Sequence, residues 1–283
     1  MAMQPISLTS GMRANLVSLQ NTNSLLELTQ KHLASGKKVN SALDDPVAYF
    51  TAVAHEQRAG DLASRKDEMS ESIQMVKAAD SGIEGISSLI AAAKSLASSA
   101  LSGETSTDIQ TLNKQYTEVL NQISKIAEDS GYKGVNLLNG TAVRHEVKFD
   151  ETGNSKLTIT GFDASAAGAT LSLMTFADTG WWSAGVTAAD KSAISSAITR
   201  LDSATRAMRT ESSKLANNLS IITARQEFTQ GMINVLKDGA AGLTNADMNE
   251  EGANMLMLQT RQALGTTSLS LASQAAQSVL RLF

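Results

Sequence analysis

The stretch MRANLVSLQNTNSLLELTQKHL, residues 12–33, repeats an apolar side chain at every seventh position. The repeated residues are Met12, Leu19, Leu26 and Leu33, and the positions four residues after the first three hold Leu16, Asn23 and Gln30. A seven-residue repeat keeps one stripe of a helix against a partner helix, whereas an ordinary surface helix drifts out of register. The stretch therefore predicts a helix in coiled-coil packing, in which the polar residues Asn23 and Gln30 either set the register or face solvent or another chain.

The same period returns in three later segments. Its positions are Leu62, Met69, Val76, Ile83, Ile90 and Ala97, then Ile194, Leu201, Met208, Leu215, Ile222, Thr229 and Leu236, and finally Met257, Leu264 and Leu271 beside Gly265, Ala272 and Val279. Seams of this length predict a mainly α protein with long helices in coiled-coil packing. The first and last segments mirror each other in the chain, so we expect the N- and C-terminal helices to pair.

Residues that start and stop helices mark a joint after the first segment. Gly36 suits a helix end, and the lysines that follow it complement the negative end of the helix dipole. Asp44, Asp45 and Pro46 suit a helix start, because aspartate caps free N–H groups and proline is accepted at the first helical position.

Further breaks are predicted along the chain. Gly103 ends the second helix, and Thr107 and Gln110 have the spacing of a capping box for a shorter helix that runs to about residue 128. At residues 237–251, Gly239 and Gly242 are expected to end one helix, and Asp247 is expected to cap another.

The middle of the chain has a different pattern. Residues 142–162 alternate apolar and polar side chains on both sides of Gly153 and Asn154, which predicts a β-hairpin. Residues 163–189 are rich in small side chains and predict loops and short strands. The expected fold is thus paired terminal helices around a small central insertion that contains a β-hairpin.

Composition narrows the classes of function. The 283 residues are 42% hydrophobic but 4% aromatic, as helix–helix seams of small aliphatic residues require. A net charge of −4 argues against a nucleic-acid partner, and the absence of cysteine excludes disulfides and thiolate metal sites. No apolar run is long enough for a membrane helix, and no secretory signal peptide is visible. We therefore expect either a cytoplasmic protein or export by a route without a cleaved signal.

Motifs for catalysis are missing from the sequence. His55 and Glu56 begin a zinc-protease pattern, but Ala59 stands where the second histidine is needed. Phosphate-binding glycine loops and the serine nucleophile elbow do not occur. Trp181 and Trp182 would suit either a sugar contact or a structural lid. The expectation is a protein that is not an enzyme and has no cofactor and no metal.

Three motifs resemble bacterial flagellins. They are LASGKKVNSALDD at residues 33–45, GYKGVNLLNG at residues 131–140, and LQTRQALGTTSLSLA at residues 258–272. Their order and spacing match the family over about residues 5–140 and 190–283, and three motifs in register are far more specific than one. The short middle is similar to that of flagellins from alphaproteobacteria.

The resemblance implies a structural subunit, built as a long coiled-coil helical rod, that polymerises into the extracellular flagellar filament. It implies a D0 domain of residues 1–36 and 247–283, linkers at 37–44 and 238–246, a D1 bundle of 45–140 and 190–237, and a variable outer region at 141–189. It also implies export in an unfolded form by the flagellar type III system. The implied partners are the chain itself and flagellin paralogues, an export chaperone, the export gate, and the filament cap and hook-junction proteins, without nucleic acid or membrane.

Three groups of residues carry these expectations. For the D0 coiled coil and filament assembly they are Leu16, Leu19, Asn23, Leu26, Leu33, Leu264, Leu271 and Val279. For the joint between the domains they are Gly36, Asp44, Asp45 and Pro46. Flagellins detected by their Toll-like receptor carry an RxREL core, and here the corresponding residues include Ala92, Lys94, Ser95 and Leu96, so weak receptor activation is expected.

Other readings compete with the filament subunit. A hook–filament junction protein has similar termini, and a flagellin-like cell-surface adhesin or polysaccharide receptor would use Trp181 and Trp182. A cytoplasmic coiled-coil signalling protein would leave the central hairpin and the C-terminal motif without a reason.

Overall fold

The computed structural model describes residues 10–103, 105–173 and 188–280. Within these ranges the helices are α1 (Ser10–Ser35), α2 (Pro46–Ser102), α3 (Ser106–Asp129), α4 (Ala188–Thr244) and α5 (Met248–Leu280). Strands β1 (Arg144–Lys148) and β2 (Lys156–Thr160) pair antiparallel, with His145 opposite Ile159. The mainly α fold with one small hairpin is confirmed. In the described ranges, no helix is long and apolar enough to cross a membrane.

The predicted start of α2 is confirmed. Pro46 is its first helical residue, and Asp45 Oδ1 accepts hydrogen bonds from the N–H groups of Val47 and Ala48, each at 3.0 Å. At α3 the prediction was two residues late. Thr105 is the cap and accepts a hydrogen bond from the Asp108 N–H at 3.2 Å, so the Thr107 and Gln110 pair does not form the start.

The predicted break at Gly239 and Gly242 is wrong. Helix α4 continues through both glycines to Thr244, so residues 238–244 are helical and the connection to α5 is shorter than expected. A glycine costs a helix about 1 kcal/mol relative to alanine. Burial of Leu236 and Ala240 beside the glycines offsets this cost, because tertiary packing outweighs intrinsic propensity.

The chain divides into two compact units, residues 1–57 with 235–283, and residues 58–234. In the second, one apolar core joins α2, α3, the hairpin and α4. The heptad positions predicted for α2 and α4 are all buried, from Leu62 to Ala97 and from Ile194 to Leu236. These two seam predictions are confirmed.

Candidate assembly interface

Helices α1 and α5 pack against each other in opposite directions. Residue numbers that rise along α1 meet numbers that fall along α5, as an antiparallel pair requires. The polar contacts across the pair are Asn15 with Ser268 at 3.4 Å, Asn23 with Gln262 at 2.8 Å, and His32 with Glu251 at 2.7 Å.

The seam of α1 combines the predicted leucine row with an unpredicted polar row. Its least exposed side chains alternate steps of three and four residues, at Met12, Asn15, Leu19, Thr22, Leu26, Thr29 and Leu33. Predicted positions Leu16 and Gln30 are exposed, whereas Asn23, although also exposed, accepts a hydrogen bond from Gln262 across the pair. The prediction placed the fourth residue after each apolar position in the seam, but the third residue lies there. Both positions lie close to the same helix face, so the sequence period does not separate them.

On α5 the seam lies one position beyond the predicted row. Leu264 and Leu271 are 66% and 62% exposed, so their assignment to the coiled-coil seam is wrong. Leu258, Gly265 and Ala272 face α1 instead. The prediction favoured the leucine row because leucine is more apolar than the glycine and alanine of the true seam. Val279 belongs to α5, but its side chain lies outside the described residues.

The two helices approach each other closely at Gly265. A β-carbon built on Gly265 would lie 3.0 Å from Leu19 Cγ and 3.1 Å from Leu19 Cδ2. Leu19 therefore occupies the space that the glycine leaves, as a knob fills a hole in a coiled coil. A glycine within a helix leaves space for a side chain of the partner helix, so Gly265 is the feature of the sequence that indicates the α5 seam.

The joint connects the end of α1 to the end of α4 by backbone hydrogen bonds. Gly36 has a positive φ of 70° and donates its N–H to His32 O at 2.8 Å. The N–H of Lys38 donates to Thr244 O at 2.8 Å, and the N–H of Ala246 donates to Gly36 O at 3.0 Å. The segment after α1 and the segment after α4 are far apart in the sequence, but they are joined here by hydrogen bonds.

Asp44 organises the loop that leads into α2. Its Oδ2 accepts hydrogen bonds from the N–H groups of Asn40 at 3.0 Å and Ser41 at 2.9 Å, and Lys31 Nζ lies 3.5 Å from the carboxylate. The hydrogen bond from Asn40 is the main reason why the pKa of Asp44 is lowered. These contacts give Asp44 a structural role in the joint.

Large apolar side chains are exposed mainly in the unit that contains α1 and α5. The exposed residues of that unit are Leu16, Val17, Leu25, Leu28, Leu43, Val47, Phe50, Val235, Met248, Leu256, Met257, Leu264 and Leu271. In the other unit Ile221 and Phe228 belong to this class among the described residues. Exposed apolar faces of this extent are typical of surfaces that bind another protein.

The residues aligned with the receptor motif lie on α2 in the central unit. Ala92 and Ser95 are exposed, Leu96 packs partly against the core, and Lys94 forms an ion pair with Asp202 of α4. Trp181 and Trp182, the residues of the adhesin alternative, lie outside the described residues.

Comparisons with known proteins match both helical ends of the chain. Residues 7–143 match the bacterial flagellin N-terminal helical region, and residues 192–283 match the bacterial flagellin C-terminal helical region. The chain belongs to the bacterial flagellin family. Flagellin FljM of Caulobacter vibrioides is 29% identical over the whole length of both chains. A flagellin of Brucella melitensis is 27% identical, with 95% of each chain covered.

Membership of the family confirms the resemblance stated from the motifs. As a flagellin, the chain is a structural subunit that self-polymerises into the extracellular flagellar filament. Several relatives are paralogues from one Caulobacter strain. A crystal structure of Bacillus cereus flagellin covers 57% of this chain and 88% of its own, at 20% identity and a TM-score of 0.46.

Proposed function

We propose that α1 and α5 are the self-association element of this filament subunit, corresponding to a D0 domain of residues 1–36 and 247–283. The observation that carries the proposal is the exposure of leucines on the outer faces of both helices, such as Leu25 at 50% and Leu264 at 66%. Neighbouring subunits would cover these faces in the filament. Residues 45–140 and 190–237 would then form D1, with residues 141–189 as the outer region.

The seam inside the pair is too weak to hold it folded in isolation. In α1 only Met12 and Thr29 are buried, and the cross-helix hydrogen bonds of Asn15 and Asn23 are exposed to solvent. Helices of this kind are marginal without tertiary packing, because fixing the backbone costs about 1–2 kcal/mol per residue. We therefore expect α1 and α5 to be unfolded in the monomer and to fold on assembly.

Leu19 provides the test of this proposal, because it occupies the space over Gly265. In Leu19→Asp or Leu26→Asp, a charge enters the seam and polymerisation should stop, while the helix content of the central unit persists. Asn121→Asp adds the same charge at an exposed position of α3, outside the α1–α5 pair, and is the matched control. Filaments are counted by electron microscopy and helix content by circular dichroism. Normal filaments from both seam variants would refute the proposal.

The route to the filament is the second part of the proposal. The chain has no cysteine and so no disulfide that would resist unfolding, which supports export in an unfolded form by the flagellar type III system. An export chaperone, the export gate, and the cap and hook-junction proteins would be its partners. Blocking the flagellar export apparatus should retain the chain in the cell, whereas continued secretion would contradict this route.

The Lys94 ion pair supports the expectation of weak Toll-like receptor activation. Lys94 is engaged by Asp202, and Ala92 and Ser95 offer neither an arginine fork nor a carboxylate at this surface. Purified monomer should give little signal in a receptor reporter cell. A strong signal would show that other residues create the contact.

A further inference from the structure

Two exposed apolar faces lie outside the α1–α5 pair. The joint face consists of Leu43, Val47, Phe50 and Ala54, and Leu43 is 96% exposed, Val47 76% and Phe50 62%. The α4 face consists of Ile221, Ala224, Phe228 and Gly231, and Phe228 is 61% exposed. Neither face is covered by another described part of the chain.

Both faces have the spacing of a helix–helix seam. Val47, Phe50 and Ala54 are separated by three and four residues, and the α4 face repeats steps of three, four and three. Single exposed apolar residues are common on protein surfaces, but a heptad row with an aromatic residue at its centre is typical of a packed interface. Small Ala54, Ala224 and Gly231 leave space beside the two aromatic rings.

Each face is bordered by charges of both signs. Asp44 and Asp45 lie at the start of the joint face, and Lys31 Nζ lies 3.5 Å from the Asp44 carboxylate. Arg225 borders the α4 face, where its guanidinium lies 5.2 Å from the centre of the Phe149 ring, and Glu227 lies on the other side of that face. This arrangement favours one orientation of a contact between the two faces, since complementary charges fix the register of an interface.

A contact between two different surfaces is also what a filament needs. If the α4 face packed on its own copy, the interface would be isologous and would close into a dimer. A joint face on an α4 face is heterologous and leaves one free face of each kind for the next subunit. We propose that the joint face of one subunit packs against the α4 face of a second copy. This proposal rests on the self-association described above and specifies a second contact for it.

The absence of cysteine makes this contact directly measurable. Leu43→Cys and Phe228→Cys chains are mixed, polymerised and oxidised, and disulfide-linked pairs are separated on a non-reducing gel. A disulfide needs β-carbons about 3.5–4.5 Å apart, so a linked pair reports direct apposition. Thr223→Cys, exposed on another side of α4, is the matched control in place of Phe228→Cys.

The expected result is a 43–228 linked pair in filaments of the mixture, several-fold more abundant than the 43–223 pair and absent from each variant alone. Filaments that form without this excess would overturn the contact and leave the proposed role of α1 and α5 intact. If the cysteine chains do not polymerise, the apolar character of position 228 decides. Phe228→Leu should polymerise, whereas Phe228→Asn should not, because the contact buries an apolar side chain that is 61% exposed in the single chain. Equal polymerisation of the two variants would overturn the contact.

Discussion

The core of residues 58–234 and the α1–α5 pair use the same heptad period but bury very different side chains. The central core encloses Ile86, Ile90, Ile123 and Leu201, each at most 1% exposed. The seam of the terminal pair contains Thr22, Thr29 and Gly265, while leucines of both helices face outward. The central unit thus completes its burial within one chain, and the self-association proposed for the terminal helices predicts that neighbouring subunits complete theirs.

The largest expected difference between the regions comes from removing one aliphatic side chain in each. Ile123→Ala should lower the free energy of unfolding of the monomer by about 2–5 kcal/mol, because it creates a cavity in the core. Leu264→Ala should change the same quantity by less than about 0.5 kcal/mol, since its side chain is exposed. Denaturant unfolding of monomers measures both. Leu264→Ala should instead weaken the filaments and lower their depolymerisation temperature.

Helix caps sharpen the comparison with a smaller effect. Thr105 caps α3, and Asp247 caps α5 by accepting from the N–H groups of Asn249 at 2.9 Å and Glu250 at 3.3 Å. Replacing either cap with alanine costs about 1 kcal/mol where its helix is folded. Thr105→Ala should therefore destabilise the monomer, and Asp247→Ala should act only in the filament. Equal monomer melting shifts for the two variants would show that α5 is folded before assembly.

His145 gives the central unit a pH dependence. Its ring nitrogen Nε2 lies 2.9 Å from Ser72 Oγ, and burial lowers the pKa of His145. The folded protein binds this proton less readily than the unfolded chain, so the contribution is complete above the ordinary pKa of about 6.5 and is lost as the pH falls through the lower folded value. The melting temperature of the monomer should fall on acidification below that ordinary value, less steeply in His145→Gln. The same slope in both would assign the effect to another group.

Two glycines on α5 provide the smallest test. A β-carbon at Gly252 would meet nothing within 4 Å, whereas one at Gly265 would press on Leu19. Gly252→Ala should raise filament stability by about 0.5–1 kcal/mol through helix propensity alone. Gly265→Ala should gain less or lose stability, which thermal depolymerisation of the two variants would measure. An equal gain for both would mean that Leu19 does not pack on Gly265.

The sequence predicts the buried rows correctly where buried and exposed side chains differ clearly in hydrophobicity. In α2 and α4, large apolar residues alternate clearly with polar ones, so the period alone locates the buried row. In α1 and α5 the row includes threonine, glycine and alanine, and the more apolar neighbours Leu16 and Leu264 are the exposed residues. Hydrophobicity predicts burial within one chain, and under the proposed self-association these leucines make contacts that a single chain does not contain.

Helix boundaries near the joint are likewise predictable only where they depend on local residues. Asp45 and Pro46 act through atoms of their own segment, so their role was readable from the sequence. The continuation of α4 through Gly239 and Gly242 depends on packing around Leu236 and Ala240, which local propensity does not describe.

Hydrogen–deuterium exchange of monomer and filament tests the central claim most directly. We expect the backbone amides of α1 and α5 to exchange rapidly in the monomer and to become protected in the filament. The amides around Ile90 and Leu201 should be protected in both states. Protection of α1 and α5 in the monomer equal to that of the central core would contradict it.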